Sequence, residues 1–440
     1  LCCLALLCAA PPLLANPYME TLPNGLKVVV KEDRRAPVVV SQIWYKAGSI
    51  DEYNGTTGVA HALEHMMFKG TKKVPAGQFS KLIAAAGGRE NAFTTQDYTA
   101  FFQELDKSKL PLAMRLESDR MENLLLSEKE FSKEIKVVME ERRLRTEDQP
   151  HALLYEKMMS VAFQDSPERR PVIGWMNDLQ NMTVGDARAW YHRWYAPNNA
   201  TLVVVGDVSH EQVFALAKRY YGKIKPAVLP VRKPQVEPEQ IGIKRIDVKA
   251  PANTPYLLMG YHAPEIRDAA KDWEPYALDV LAGVLDGNPA ARLDKALTRD
   301  NPVAVSVDAS YDDTGRGPGM FVIDATPSQG KTAAEVEAAI RAQLGKVVRE
   351  GVTEEELKRV KAQVTASHVF QRDSMFYQAM QIGQLESVGL SYEDIDVMLK
   401  KINEVTADQV RQVAAKYFTD DNLTVAVLVP QPMKGDGHAK

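Results

Sequence analysis

The feature that most constrains the fold is the likeness of this chain to itself. Thr183 and Thr406 each open an amphipathic helical stretch, and Trp194-Tyr195 and Tyr417-Phe418 close it. Asn199 and Asn422 then supply a turn, and Thr201 and Thr424 begin a Val-rich strand. All four pairs share one offset, 223 residues, as from 183 to 406. Upstream, Pro37-Val38-Val39-Val40 is matched by Pro255-Tyr256-Leu257-Leu258 at an offset of 218. A period this long implies two like domains, not a solenoid, and 440 residues suffice for two cores. Between the copies Pro226, Pro230, Pro234 and Pro238 recur every fourth residue. Such a run suits neither helix nor central strand and favours an extended, semi-rigid linker. The expected organisation is a leader over 1–15, a first domain over 16–224, a linker over 225–240, a second domain over 241–432 and a tail over 433–440. Apolar runs of strand type at 26–30, 38–45 and 200–205 alternate with amphipathic helices at 79–86, 110–123, 128–147 and 184–195, an α+β pattern. Residues 91–102 alternate and are rich in β formers, which predicts one further strand.

The chemistry concentrates in His61-Ala62-Leu63-Glu64-His65. Good helix formers without Pro surround it, and i, i+4 spacing puts both imidazoles on one face. Two imidazoles so placed can share one Zn²⁺, and Glu64 is placed to take a proton from water. The pentad is the zinc-protease motif in reverse order. Chance yields about 0.02 such matches in this composition. At an offset of 218, His61 and His65 fall on Asp279 and Gly283. The second copy therefore has the helix, over 276–285, without metal-binding residues.

Residues 1–15 are apolar and read as the hydrophobic and cleavage regions of a secretory signal peptide with a truncated start, cut after Ala15. Pro11-Pro12 interrupts the run, and a membrane span needs about 20 apolar residues, so no stable span is expected. All three cysteines, Cys2, Cys3 and Cys8, lie in that segment. Disulfides then play no part in the mature chain, and any metal must be held by His and carboxylate. A net charge of −4 without a basic stripe gives no case for nucleic acid. Gly330-Lys331-Thr332 resembles the end of a phosphate-binding loop, but Ala325 stands where its first Gly is required.

A catalytic zinc takes three protein ligands and an open position. The remaining histidines are scattered, and the acidic helix after Glu128 offers Glu134, Glu140 and Glu141. Spacing alone does not choose among them, since charge runs are usually solvated.

The pentad, the Gly87-Gly88 turn before Asn91-Ala92-Phe93-Thr94, and the acidic helix together resemble the pitrilysin/insulinase (M16) group of inverted-motif zinc peptidases. Arg170-Pro171-Val172-Ile173-Gly174-Trp175 and Trp194-Tyr195-Ala196-Pro197-Asn198-Asn199 extend the likeness, which is to the shorter branch containing the mitochondrial processing peptidase and bacterial relatives. The resemblance implies two related domains, each a mostly antiparallel sheet packed with helices, forming half of a clamshell. It implies one Zn²⁺ per chain held by His61, His65 and Glu141, with Glu64 as general base. Glu140 is the runner-up for the third ligand, and Glu134 is the upstream supporting acid. It also implies that a peptide substrate adds as a strand along Asn91, Ala92 and Phe93. The implied function is a zinc-dependent endopeptidase acting on peptides or unfolded segments; the signal peptide, separately, suggests a bacterial periplasm.

One departure stands out. Family members that act alone carry an Arg and a Tyr about seven apart in the second domain to grip substrate. Here Ala304 stands about where the Tyr belongs, and position 297, seven before it, is Leu. A related zinc-less partner subunit is therefore expected to supply that grip, with a homodimer of this chain as the other expected assembly. The alternative is a non-catalytic structural subunit of the same fold.

Overall fold

The computed structural model describes residues 17–300 and 302–432. The leader expected over 1–15, with the three cysteines, and the tail expected over 433–440 lie outside the described residues. The first half builds a six-stranded sheet from β1 (Tyr18–Thr21), β2 (Lys27–Glu32), β3 (Val38–Tyr45), β4 (Arg89–Thr94), β5 (Thr99–Asp106) and β6 (Ala200–Gly206). The second builds a five-stranded sheet from β7 (Lys244–Pro251), β8 (Tyr256–Ala263), β9 (Ala304–Tyr311), β10 (Gly319–Pro327) and β11 (Leu423–Gln431). Strand order is β1-β2-β6-β3-β5-β4 in one and β7-β11-β8-β10-β9 in the other. Leaving β1 aside, the orders superpose strand for strand. The one parallel pairing of each sheet, β2 with β6 and β7 with β11, falls at the same place. Strands β4 and β9 are thus matching edges.

Sequence signals for the repeat become matching contacts. Thr183 and Thr406 both cap their helices through capping boxes, a device that satisfies two orphan donors at once. The Asn199 and Asn422 amides donate to Trp194 O and Tyr417 O, both at 2.9 Å. Valines of β6 are wholly buried because this strand is covered on both faces.

Two features depart from the sequence reading. Residues 91–102 are not one strand but the hairpin β4–β5, paired from Arg89–Glu104 to Thr94–Thr99. The Thr95 hydroxyl accepts from the Asp97 and Tyr98 amides at 3.1 and 3.2 Å, a side-chain turn that apolar alternation conceals. The halves are also interlocked. The helix Met375–Val388 of the second half lies on β3 and β6 of the first, where Ala379 and Ile382 join Val29, Val40, Trp44, Val203 and Val205 in one core. Reciprocally, Pro150–Ala162 of the first half lies on β7, β8 and β11, where Leu154 and Met158 pack with Leu258, Ala426 and Leu428. The stretch 225–240 contains no helix or strand. It is fastened by Arg232, which pairs with Asp51 at 2.6 Å and lies over the Trp194 ring, and by Glu237, which accepts from three successive amides, Gln164 to Ser166.

Candidate metal centre

The pentad lies on the helix Val59–Met66. Gly58 precedes it at φ +87°, and a Cβ there would stand 2.5 Å from Ile173 O, so no other residue fits. Glu52 caps the helix, its two oxygens accepting from the Gly58 and Ala60 amides at 2.8 Å each. Val59, Ala60, Leu63 and Met66 turn into the first core. That phase leaves His61, Glu64 and His65 together on the other face. The two imidazole centroids are 4.7 Å apart, with the rings at 73°.

The acidic helix Glu128–Arg142 crosses this face, and its phase brings Glu141 rather than Glu140 toward the imidazoles. Glu141 Oε2 is 3.3 Å from His65 Nε2 and 3.8 Å from His61 Nε2. Glu140, one position earlier and so about 100° round the helix, is 58% exposed and pairs with Arg143. Glu134 Oε1 lies 3.1 Å from His65 Nδ1, and its other oxygen is 2.6 Å from Lys69. The helix runs directly into a π-helical turn, Arg143–Glu147, a local widening common at functional sites. From this turn Arg145 reaches back to the second oxygen of Glu141 at 2.9 Å. Neither Lys69 nor Arg145 was visible as a site residue in the sequence. Each lies within a helical turn of a candidate residue, but charge at that spacing is commonplace.

Burial pulls the His61 imidazole down to about 3, helped by the positive neighbours His65 and Arg145. His65 is also pulled down by burial, but its bond to Glu134 and the charges of Glu141 and Glu64 outweigh that and leave it raised. Burial raises the Glu64 carboxyl, opposed by a hydrogen bond from the Thr94 hydroxyl to Oε2 at 2.6 Å. Thr94 is the last residue of β4, so the edge strand and the pentad helix meet at Glu64. Asn91, Ala92 and Phe93 lie along β4, whose only partner among the described residues is β5. The Ala92 amide is occupied by the Asn91 side-chain oxygen at 2.9 Å. An added strand would replace that bond.

The donor set fits zinc. One nitrogen each from His61 and His65 and one oxygen from Glu141 lie within 4.8 Å of one another. A tetrahedral zinc with bonds of about 2.0–2.1 Å sets its donors about 3.3 Å apart. Both imidazoles would bind through Nε2, with His65 Nδ1 held by Glu134, the outer support such ligands usually have. His61 Nδ1 is buried with no such partner among the described residues.

The positions discussed for a substrate grip are closed. Leu297 is 1% and Ala304 2% exposed, both within the second core.

Comparison with known proteins identifies the family of the chain. Residues 27–175 match the model of the insulinase family, peptidase family M16, and residues 181–364 match the peptidase M16 inactive domain. A zinc protease of Helicobacter pylori, PqqE, is 32% identical over 93% of this chain and 92% of its own length. An uncharacterized zinc protease of Mycobacterium leprae is 29% identical over 94% of this chain and 92% of its own. Among solved structures, a protease from Helicobacter pylori superposes with a TM-score of 0.90 at 29% identity, covering 95% of this chain and all of that one. The periplasmic protease PqqL of Escherichia coli shares the fold, with a TM-score of 0.80 at 19% identity over 96% of this chain and 48% of its own. The two family models together cover most of the chain, the insulinase model over the half that bears the inverted pentad: this chain belongs to the M16 (insulinase) family of peptidases.

Proposed function

We propose that the chain is a zinc-dependent endopeptidase that cleaves peptides or unfolded polypeptide segments. The observation that carries this reading is the convergence of His61, His65 and Glu141 beside Glu64, whose carboxyl feels the charges of His65 and Glu141. These three residues would hold the metal. Zinc, when bound, polarises the scissile carbonyl and acidifies water. The chain's own residues do the rest. Glu64 accepts the proton of the attacking water and returns it to the leaving amine. Thr94 holds one carboxylate oxygen of Glu64, which leaves the other free for that transfer. Glu134 and Arg145 fix the outer atoms of His65 and Glu141, so the donors are set before substrate arrives. The substrate backbone pairs along Asn91, Ala92 and Phe93, a mode that tolerates many sequences.

Because Leu297 and Ala304 are apolar and buried, a related zinc-less subunit supplies the substrate grip; a homodimer of this chain is the alternative assembly, closing the opposing wall without that grip. Export to a bacterial periplasm fits the apolar leader and the periplasmic relative. No helix among the described residues is long and apolar enough to cross a membrane.

The test is Glu64→Gln. The expected result is one bound zinc per chain, as in wild type, with digestion of unfolded casein lost. Equal digestion by the variant removes the proposed mechanism. Wild type that binds zinc but never cleaves, alone or mixed with a related subunit, favours the structural-subunit alternative.

A further inference from the structure

We propose that Arg316, in the second half of the chain, is a positioning residue for the active site of the first half, a role that rests on the peptidase reading above. Arg316 sits in the connection between β9 and β10. That connection is fastened by Arg267, which donates to the carbonyls of Gly315 and Gly317, the latter at 2.6 Å. The Arg316 side chain is only 15% exposed and crosses into the first half. There its guanidinium grips Asp51 with two bonds, 2.6 and 3.2 Å long. Its backbone amide donates to Asp97 at 3.1 Å, and Nε stands 3.4 Å from the same oxygen. Bidentate, partly desolvated guanidinium–carboxylate pairs are strong and directional.

Both carboxylates lead to the pentad. Asp51 is followed directly by Glu52, which caps the pentad helix at Gly58 and Ala60. Asp97 occupies the turn of the β4–β5 hairpin, whose far side carries Thr94 and its bond to Glu64. The two routes are tied to each other, since the Ser49 and Ile50 amides donate to Thr95 O and Gln96 O at 3.1 and 2.9 Å. One side chain from the half that lacks the metal residues therefore bridges, alongside those backbone bonds and the Arg232 pair on Asp51, the segment leading into the helix of His61, Glu64 and His65 and the hairpin whose first strand is the proposed substrate edge. A closed loop of bonds of this kind fixes the angle between two elements more firmly than either contact alone. The second half thus contributes to the site without touching substrate.

The test compares wild type with Arg316→Ala, Arg316→Lys and Asp97→Asn in the full chain. Two readouts are used: amide hydrogen exchange by segment, and steady-state cleavage of a fluorogenic peptide with bound zinc measured in parallel. In Arg316→Ala the amides of Thr95–Tyr98 and of Gly58–Ala60 should exchange at least tenfold faster, while those of β2 and β6 stay within twofold. The same variant should lose at least tenfold in kcat with KM and zinc content within twofold. Arg316→Lys, which keeps the charge but not the two-pronged grip, should fall between. Asp97→Asn should reproduce the hairpin part of the effect and carries the test if Arg316→Ala does not fold. Unchanged exchange at both segments overturns the proposal. So does uniformly faster exchange, which would mark a merely structural role. If wild type itself does not cleave, the peptidase reading fails separately, and the exchange result still decides whether the clasp holds both elements.

Discussion

Gly383 lies on the Met375–Val388 helix where it crosses the first sheet, and it should be the most sensitive small residue at the joint between the halves. A Cβ at this position would stand 2.0, 2.2 and 2.5 Å from three atoms of the Trp44 indole, where 3.4 Å is ordinary contact. Trp44 has no room to yield. It is 0% exposed, donates its indole N–H to Gln42 at 3.0 Å, and is wedged edge-on against Phe93 and Tyr98. The helix must therefore lift by more than an ångström. Two effects compete in Gly383→Ala. Helix propensity favours Ala by about 1 kcal/mol, and overpacking a tight core costs about 1–3 kcal/mol, occasionally more. With so short a contact the upper end applies, giving a net loss of about 2 kcal/mol. For domains of this size that lowers Tm by roughly 4–8 °C. The assay is calorimetry of the full chain, with cleavage measured in parallel because Phe93 leans on the displaced indole. A Tm raised by the propensity gain alone would refute the reasoning, since it would mean that the helix does not sit on Trp44.

Glu134→Gln preserves shape but removes the charge behind His65 and leaves Lys69 unpaired; zinc affinity, read by competition with a chromophoric chelator, should weaken about 10- to 100-fold, and an unchanged affinity would exclude the supporting role. Chelation of the metal should lower Tm, and restoring zinc at 100 times its Kd should recover about 2.7 kcal/mol; Glu141→Gln should recover less at the same zinc concentration. Glu356 gives a pH test away from the site. Burial would raise this carboxyl, but the Arg292 guanidinium, at 2.7 Å to each oxygen, and the Thr353 amide hold it down at about 2, against an ordinary 4.5. Its folded value is depressed, so its contribution is present above about pH 4.5 and lost as pH falls toward 2. Wild type should exceed Glu356→Gln by about 2 kcal/mol at pH 7 after allowance for solvent screening, and urea titrations should show the gap closing between pH 4.5 and 2.

Local patterns carried much of this molecule. The pentad helix, the capping threonines at 183 and 406 and the buried valines of β6 follow from periodicity and side-chain chemistry within a few residues of each position. The hairpin at 91–102 was missed because Thr95 makes its turn with a hydroxyl rather than with Gly or Pro. Between Glu140 and Glu141 spacing alone was silent and only the family resemblance favoured Glu141, since a helix's rotation against its neighbour is fixed by Phe131, Ile135 and Val138 meeting the core. Arg145 and Arg316 were invisible for a related reason. An exposed-looking Arg acquires meaning only when a partner 4 or 265 positions away is brought to it. The exchange of covering helices was likewise beyond local reading, because an apolar helix does not say which sheet it covers.

That exchange bears on how the protein can be cut. A protease that nicks the Pro-rich stretch would release nothing, since each piece still grips the other through a helix lodged on its neighbour's sheet. Production of either piece by itself has the opposite outcome. The amino-terminal fragment would bare the face around Trp44 and Val203, and the carboxy-terminal fragment the face around Leu258 and Leu428, apolar surfaces that drive aggregation. Two separately made fragments should become soluble when expressed together, as a non-covalent pair that behaves as the uncut chain.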